Sequence, residues 1–296
     1  MTELRVGTRG SELARRQAAW VCDRLRGVAP DVDCQMVVIR AAGDRHPGLP
    51  ATSGWPVGAF TGALEEALLD GRIDAAVHSH KDLPTTPTAG LSIVAIPKRQ
   101  APHDVLITRR AIGLVDLPPG ARIGTASPRR AAQLLSIKPF EIVPIRGNVP
   151  ARLAKVDHGE LDAVVVAAAG LRRLGIEHPY AIDLPVDRFV PAPAQGALAV
   201  QVREDSPHRP QLARLDDPVV RRCVTAERAF LAQVSAGCAT PAGALAVPDG
   251  DGVDLRAQLF SPDLTRVVVD RVCGSEPAAV GRRLGLMLAG RINLSC

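Results

Sequence analysis

The chain has 296 residues, 46% hydrophobic and 23% charged, an ordinary globular composition that leaves room for two or three domains and excludes a disulfide-stapled miniprotein or a disordered chain. Lys81, Lys98, Lys138 and Lys155 are the only lysines among 36 basic residues, so the net charge of +5 is carried by arginine, and an aromatic content of 3% excludes a base-stacking surface for nucleic acid. No run approaches the roughly 18–20 apolar residues of a membrane span, and no charged segment with an apolar core opens the chain, so a cytoplasmic protein is expected.

In chain order, Leu4 to Gly7 reads as a strand, Ser11 to Arg26 as a helix with an apolar stripe, and Cys34 to Ile39 as a second strand. Residues 45–58 are rich in Gly and Pro without periodicity and read as a long loop, of a length that in compact domains tends to be mobile or functional. A helix over Thr61 to Leu69 leads to an apolar strand, Ala75 to Val77, then His78-Ser-His-Lys-Asp-Leu-Pro84, and Leu91 to Ile96 closes the block. After the polar crossing 97–102, strands at Val105 to Thr108, Arg122 to Thr125, Ile142 to Ile145 and Ala163 to Ala168 alternate with helices at Arg129 to Leu135 and Val149 to His158. That alternation predicts parallel α/β architecture in both blocks. Ala197 to Val202 is a returning strand. From about Asp217 a helix (Pro218 to Gln233), two or three antiparallel strands (Gly243 to Val272) and a last helix (Pro277 to Ala289) form a small α+β domain.

A GC-rich genome can account for the arginine total; position has to account for the rest. Val6-Gly-Thr-Arg-Gly-Ser11 followed by Arg15-Arg16-Gln17 is similar to Ile123-Gly-Thr-Ala-Ser127 followed by Arg129-Arg130 and Gln133. Each is a strand, a capping serine and a helix with two early arginines, a junction suited to an anion because backbone N–H groups, the helix dipole and guanidinium forks converge there. Two copies in separate α/β blocks predict a bilobal protein with an acidic ligand in the cleft between the lobes.

Asp82 stands at the C-terminal end of an apolar strand, where open α/β folds place catalytic groups, although capping is an equal reading of an aspartate there. His78 and His80 are general-base candidates and an improbable metal pair. Further arginines follow strand ends at Arg146-Gly147-Asn148, Arg152 and Arg172-Arg173. Six cysteines show no Cys-x-x-Cys pair, and no metal is expected; Cys238 alone lies in a small-residue loop, Ser-Ala-Gly-Cys-Ala-Thr-Pro, where a thiol is reachable.

Taken together, Val6–Ser11, His78–Pro84, Ile123–Arg130, Arg146–Val149, Ala168–Gly175, Pro193–Ala197 and Gly237–Pro241 resemble the porphobilinogen deaminase (hydroxymethylbilane synthase) family, in order and over nearly the whole chain. The resemblance implies an α/β protein of two lobes like type II periplasmic binding proteins plus a small α+β C-terminal domain: domain 1 over 1–97 and 195–215, domain 2 over 102–190, domain 3 over 217–296. It implies a monomeric transferase that condenses four porphobilinogen molecules head to tail, with loss of ammonia, into hydroxymethylbilane, without nucleic acid or membrane partners. It implies a dipyrromethane cofactor on Cys238 through a thioether, with Asp82 as catalytic carboxylate, stabilising the electron-poor azafulvene left when the aminomethyl nitrogen departs. Lys81, Ser127, Arg129, Arg130, Arg146 and Gly147, with Asp82, match cofactor contacts; Arg9, Ser11, Phe60, Thr125, Arg152, Arg173 and Gln195 match substrate contacts.

The chain departs from the family in the 52–62 loop, where Ser53 and Val57 stand at positions usually lysine, at His103, where arginine is common, and at His80, usually methionine. Losing two loop cations weakens capture of an acidic substrate by about 1 kcal/mol each. A divergent paralogue that elongates pyrroles differently, and a non-catalytic bilobal binding protein for an acidic small molecule, therefore stay open as alternatives at the level of sequence.

Overall fold

The computed structural model describes residues 2–40, 61–235 and 241–292. The chain divides into two compact units, residues 1–100 with 196–221 and residues 101–195 with 222–296.

In unit 1 the sheet is built from β1 (Thr2–Arg9), β2 (Val32–Ile39), β3 (Ala75–Ser79), β4 (Leu91–Ala95) and β10 (Leu198–Arg203), in the order β2-β1-β3-β10-β4. Helix α1 (Glu12–Val28) covers one face, burying Ala18, Val21, Cys22 and Leu25 against Leu4, Val6, Ala75 and Val77. Helix α2 (Gly62–Leu69) covers the other through Leu64, Ala67 and Leu68, packed with Ile73 and Ala76. Gly7 lets this second layer come close, since a Cβ there would lie 2.2 Å from Ile73 Cδ1.

Unit 2 repeats the plan. Its sheet joins β5 (Asp104–Thr108), β6 (Arg122–Gly124), β7 (Glu141–Val143), β8 (Ala163–Ala167) and β9 (Ala181–Asp183) in the order β7-β6-β8-β5-β9. Helices α3 (Pro128–Leu135), α4 (Val149–Asp157) and α5 (Ala168–Leu174) flank it. Both sheets have the same arrangement: a helix-linked parallel trio, then one reversed strand, then an outer strand. This topology is the type II periplasmic-binding-protein plan.

The expectation of parallel architecture holds for each trio and is corrected at the remaining strands: β10 runs antiparallel to β3 and β4, and β5 antiparallel to β8 and β9. Neither β5 nor β10 follows a helix of its own unit; they follow the 97–102 and 189–197 stretches. The right-handed crossover that imposes parallel pairing therefore does not apply to them.

The short helix α6 (Arg209–Ala213), with α5 and β9, is an element the periodicity did not reveal. The C-terminal part consists of α7 (Pro218–Val234), the antiparallel meander β11 (Ala242–Asp249), β12 (Gly252–Phe260) and β13 (Val267–Gly274), and α8 (Pro277–Arg291). Its own apolar core includes Phe230, Leu255, Leu259, Leu284 and Leu288.

Candidate active site

The two serine junctions form as their sequences dictate. Ser11 is extended and its Oγ accepts from Ala14 N at 3.3 Å, which starts α1 at the end of β1. Ser127 caps α3 in the same way, accepting from Arg130 N at 3.4 Å, with Pro128 as the first helical residue and Thr125 Oγ1 accepting from Ser127 N at 3.1 Å. β1 and β6 occupy the same place in their sheets, so the sequence similarity between the junctions corresponds to structural equivalence.

In unit 1, Arg9 and Ser11 share a cavity of about 80 Å³ with Gln17, Thr61, His78, Ser79 and Asp82. Asp82 ends a single 3₁₀ turn, His80–Asp82, directly after β3, and is exposed. His80 N donates to Ala197 O at 3.0 Å, which fixes that turn against the residue that leads into β10. Lys81 precedes Asp82 and is half-buried. Gln17 Nε2 donates to Ser79 Oγ at 2.9 Å, strapping α1 to the end of β3, a cross-element contact that sequence reasoning missed. Thr61 Oγ1 and His78 Nε2 are buried without a hydrogen-bond partner. His78 is held neutral, its pKa pushed down to about 4 by burial against a smaller opposing effect of Gln201.

In unit 2 the arginines of the α3 junction converge on a carboxylate that sequence reasoning did not single out. Asp104, fully buried, accepts from Arg129 Nη2 at 2.7 Å and from Arg130 Nη2 at 2.6 Å and Nε at 3.1 Å. Arg129 Nη1 also donates to Val190 O and Arg130 Nη1 to Val165 O. Gln195 Nε2 donates to Asp104 Oδ1 at 3.0 Å and to Pro102 O at 2.6 Å. Arg129, Arg130 and Gln195 thus form a buried network, and the signal that could have found its hub is a carboxylate at the head of the wholly buried strand Asp-Val-Leu-Ile-Thr.

Arg152, on the first turns of α4, donates from Nε to Gly147 O at 2.9 Å, with Asn148 capping the helix and Gly147 at φ 101° bending the chain into it. Burial, and secondarily the charge of Arg130, push the Arg152 pKa down. Arg129 and Arg130 therefore share one carboxylate, and Arg152 is close enough to Arg130 to feel its charge, so positive charge outnumbers negative among these four residues. Arg173 on α5 is half-buried, its pKa lowered to about 10 by burial alone, and Arg146 ends the stretch after β7, also half-buried. A desolvated cationic surface of this kind favours carboxylate ligands. Phe60, Ser53, Val57 and Cys238 lie outside the described residues. Among the described residues no group of His, Cys, Asp and Glu could hold a metal ion, and no helix is long and apolar enough to cross a membrane.

These features define an α/β protein in which an exposed carboxylate shares a cavity with a guanidinium and a serine hydroxyl. A family profile described as "Porphobilinogen deaminase, dipyromethane cofactor binding domain" matches residues 4–210, and one described as "Porphobilinogen deaminase, C-terminal domain" matches residues 221–292. A porphobilinogen deaminase of Mycolicibacterium paratuberculosis is 46% identical over 98% of this chain and 93% of its own, and one of Nocardia farcinica is 49% identical over 96% and 84%. Among solved structures, the substrate binding domain of a putative molybdenum ABC transporter from Clostridium difficile is 12% identical with a TM-score of 0.45, over 73% of this chain and 90% of that one. The chain belongs to the porphobilinogen deaminase family.

Proposed function

We propose that the protein is a transferase of the hydroxymethylbilane synthase type, joining four porphobilinogen molecules head to tail with loss of ammonia at each step to give the linear tetrapyrrole of porphyrin biosynthesis. The carrying observation is the coincidence of full-length family membership with Asp82, Arg9 and Ser11 on one cavity. Within this reading the chain works as three domains, 1–97 with 195–215, 102–190 and 217–296.

Each pyrrole carries an acetate and a propionate, and the arginine-rich junctions answer that charge. Arg9, Ser11 and Phe60 in unit 1, and Thr125, Arg152, Arg173 and Gln195 in unit 2, are the substrate contacts of this proposal. Asp82 is exposed at the mouth of its strand, so a pyrrole N–H can reach its carboxylate without the protein unfolding. Carbon–nitrogen cleavage at the aminomethyl group needs a proton on the departing nitrogen and leaves positive charge spread over the ring. A carboxylic acid beside the ring supplies the first and, once ionised, stabilises the second.

The family's dipyrromethane cofactor fits the donor set of this chain. The excess positive charge at Arg129, Arg130 and Arg152 matches a group with four carboxylates, and the buried, unpartnered Nε of Arg129 is a donor left over from the Asp104 network. Lys81, Asp82, Ser127, Arg129, Arg130, Arg146 and Gly147 would hold it, and Cys238 would carry it through a thioether. When bound, it supplies the pyrrole carbon to which the first substrate unit is joined.

Intact mass of the purified protein tests this directly. An adduct equal to two pyrrole units, absent in Cys238→Ser, together with a tetrapyrrole product that closes to uroporphyrin on incubation with porphobilinogen, is the expected result; an unmodified chain that yields no tetrapyrrole rejects it. Asp82→Asn should unfold like the wild type, because the side chain is exposed, yet lose roughly 10²–10⁴-fold in turnover.

A further inference from the structure

A polar chain crosses the otherwise apolar layer between the unit 1 sheet and α2. Glu65 of α2, Gln201 of β10 and His78 of β3 are each more than nine-tenths buried, among Leu64, Leu68, Ile73 and Ala76. Gln201 stands opposite Ala76 in the antiparallel β3·β10 pairing and His78 opposite Ala199, so Gln201 and His78 are diagonal neighbours on one face of the sheet. Gln201 Nε2 donates to Glu65 Oε1 at 2.9 Å. A carboxylate can only accept, so Glu65 fixes which way the amide points and leaves Gln201 Oε1 as the atom available to His78. Oε1 and His78 Nε2 are both buried without a hydrogen-bond partner, and Gln201 acts on the ring in the sense expected of an acceptor near an imidazole N–H. The ring borders the cavity that also holds Arg9, Ser11, Thr61 and Asp82.

We propose that Glu65 and Gln201 are positioning residues that hold His78 as a single neutral tautomer, its N–H turned to Gln201 and its other ring nitrogen offering a lone pair to a ligand N–H in the Asp82 cavity. The inference rests on the deaminase reading for the identity of that ligand, a pyrrole bearing an aminomethyl group. The cavity then offers two acceptors for N–H groups, Asp82 and His78, together with donors for carboxylates at Arg9 and Ser11. A buried polar group left without a partner is destabilising, a cost that a ligand's N–H removes on binding.

The test uses the full-length holoprotein labelled with ¹⁵N-histidine. One ring nitrogen of His78 should show the shift of a protonated nitrogen and the other that of a lone pair at pH 7, and Gln201→Leu should convert this pattern to a tautomer mixture while the fold, read by circular dichroism, persists. In kinetics with porphobilinogen, His78→Phe should raise KM at least tenfold with a smaller effect on kcat, and His78→Gln, whose amide oxygen can accept, should recover most of the KM. A protonated or mixed-tautomer His78 in the wild type, or an unchanged KM in a folded His78→Phe, overturns the proposal. The tautomer measurement needs no turnover, so a wild type that leaves porphobilinogen untouched rejects the deaminase reading while the histidine arrangement is judged separately.

Discussion

At the scale of single residues, the cationic site depends on one buried carboxylate. Asp104 is shared by two guanidiniums that are themselves almost wholly buried, and removing one partner from such a group is far more damaging than replacing the whole group with apolar side chains. Asp104→Asn keeps the shape but leaves Arg129 and Arg130 without their counter-charge, and should lower the unfolding free energy by about 3–5 kcal/mol in urea titrations. His78 gives a second expectation with a defined sign. Its pKa is about 4 in the folded protein against an ordinary 6.5. Below pH 6.5 the unfolded chain takes up a proton that the folded chain refuses until about pH 4, so stability falls as pH falls through that window, by about 3 kcal/mol in all. Urea midpoints between pH 7 and 4 should show this slope, and His78→Gln should flatten it.

At the scale of elements, Asp82 is placed by a strand and a turn, and much of that was legible in advance. The apolar run from Ala75, the break at Leu83-Pro84 and the two serine caps are local signals, and the structure has β3, α1 and α3 where those signals put them, with a 3₁₀ turn at His80–Asp82 added after β3. Short elements such as α5 and β9 were not legible, because seven and three residues are too few to display a period and the contacts that hold them are distant. In the C-terminal part, α8 lies close to α7 through glycine: a Cβ on Gly281 would sit 2.2 Å from Ala226 O. That obstacle is backbone and cannot rotate away. Gly281→Ala should therefore destabilise by about 1–3 kcal/mol, despite alanine's better helix propensity, with the loss visible in the denaturation midpoint.

At the scale of the whole molecule, Glu227 fastens separate parts of unit 2 together. Fully buried on α7, it accepts from Ala194 N at 2.6 Å and from Ala246 N at 2.9 Å, joining the stretch before Gln195 to β11. Ala194 has φ 61°, a left-handed conformation that a side chain adopts only when its surroundings hold it there. Glu227→Leu strands two buried N–H groups and should cost about 2–6 kcal/mol, seen as an earlier unfolding transition by circular dichroism.

The sequence by itself determined the order of the longer elements, the paired serine junctions, the position of Asp82 at a strand end and the family, because each is written in a few consecutive residues whose chemistry is local. Only the tertiary structure decided that β5 and β10 run against their neighbours, and that Arg129, Arg130 and Gln195 meet at Asp104 across 25, 26 and 91 residues of chain. It also decided that Glu65, Gln201 and His78 share one buried face. Pairing between charges so far apart in sequence is set by the packing of whole sheets and helices, and in a chain this rich in arginine no local pattern marks which guanidiniums will be buried against a carboxylate and which will be left to meet a ligand.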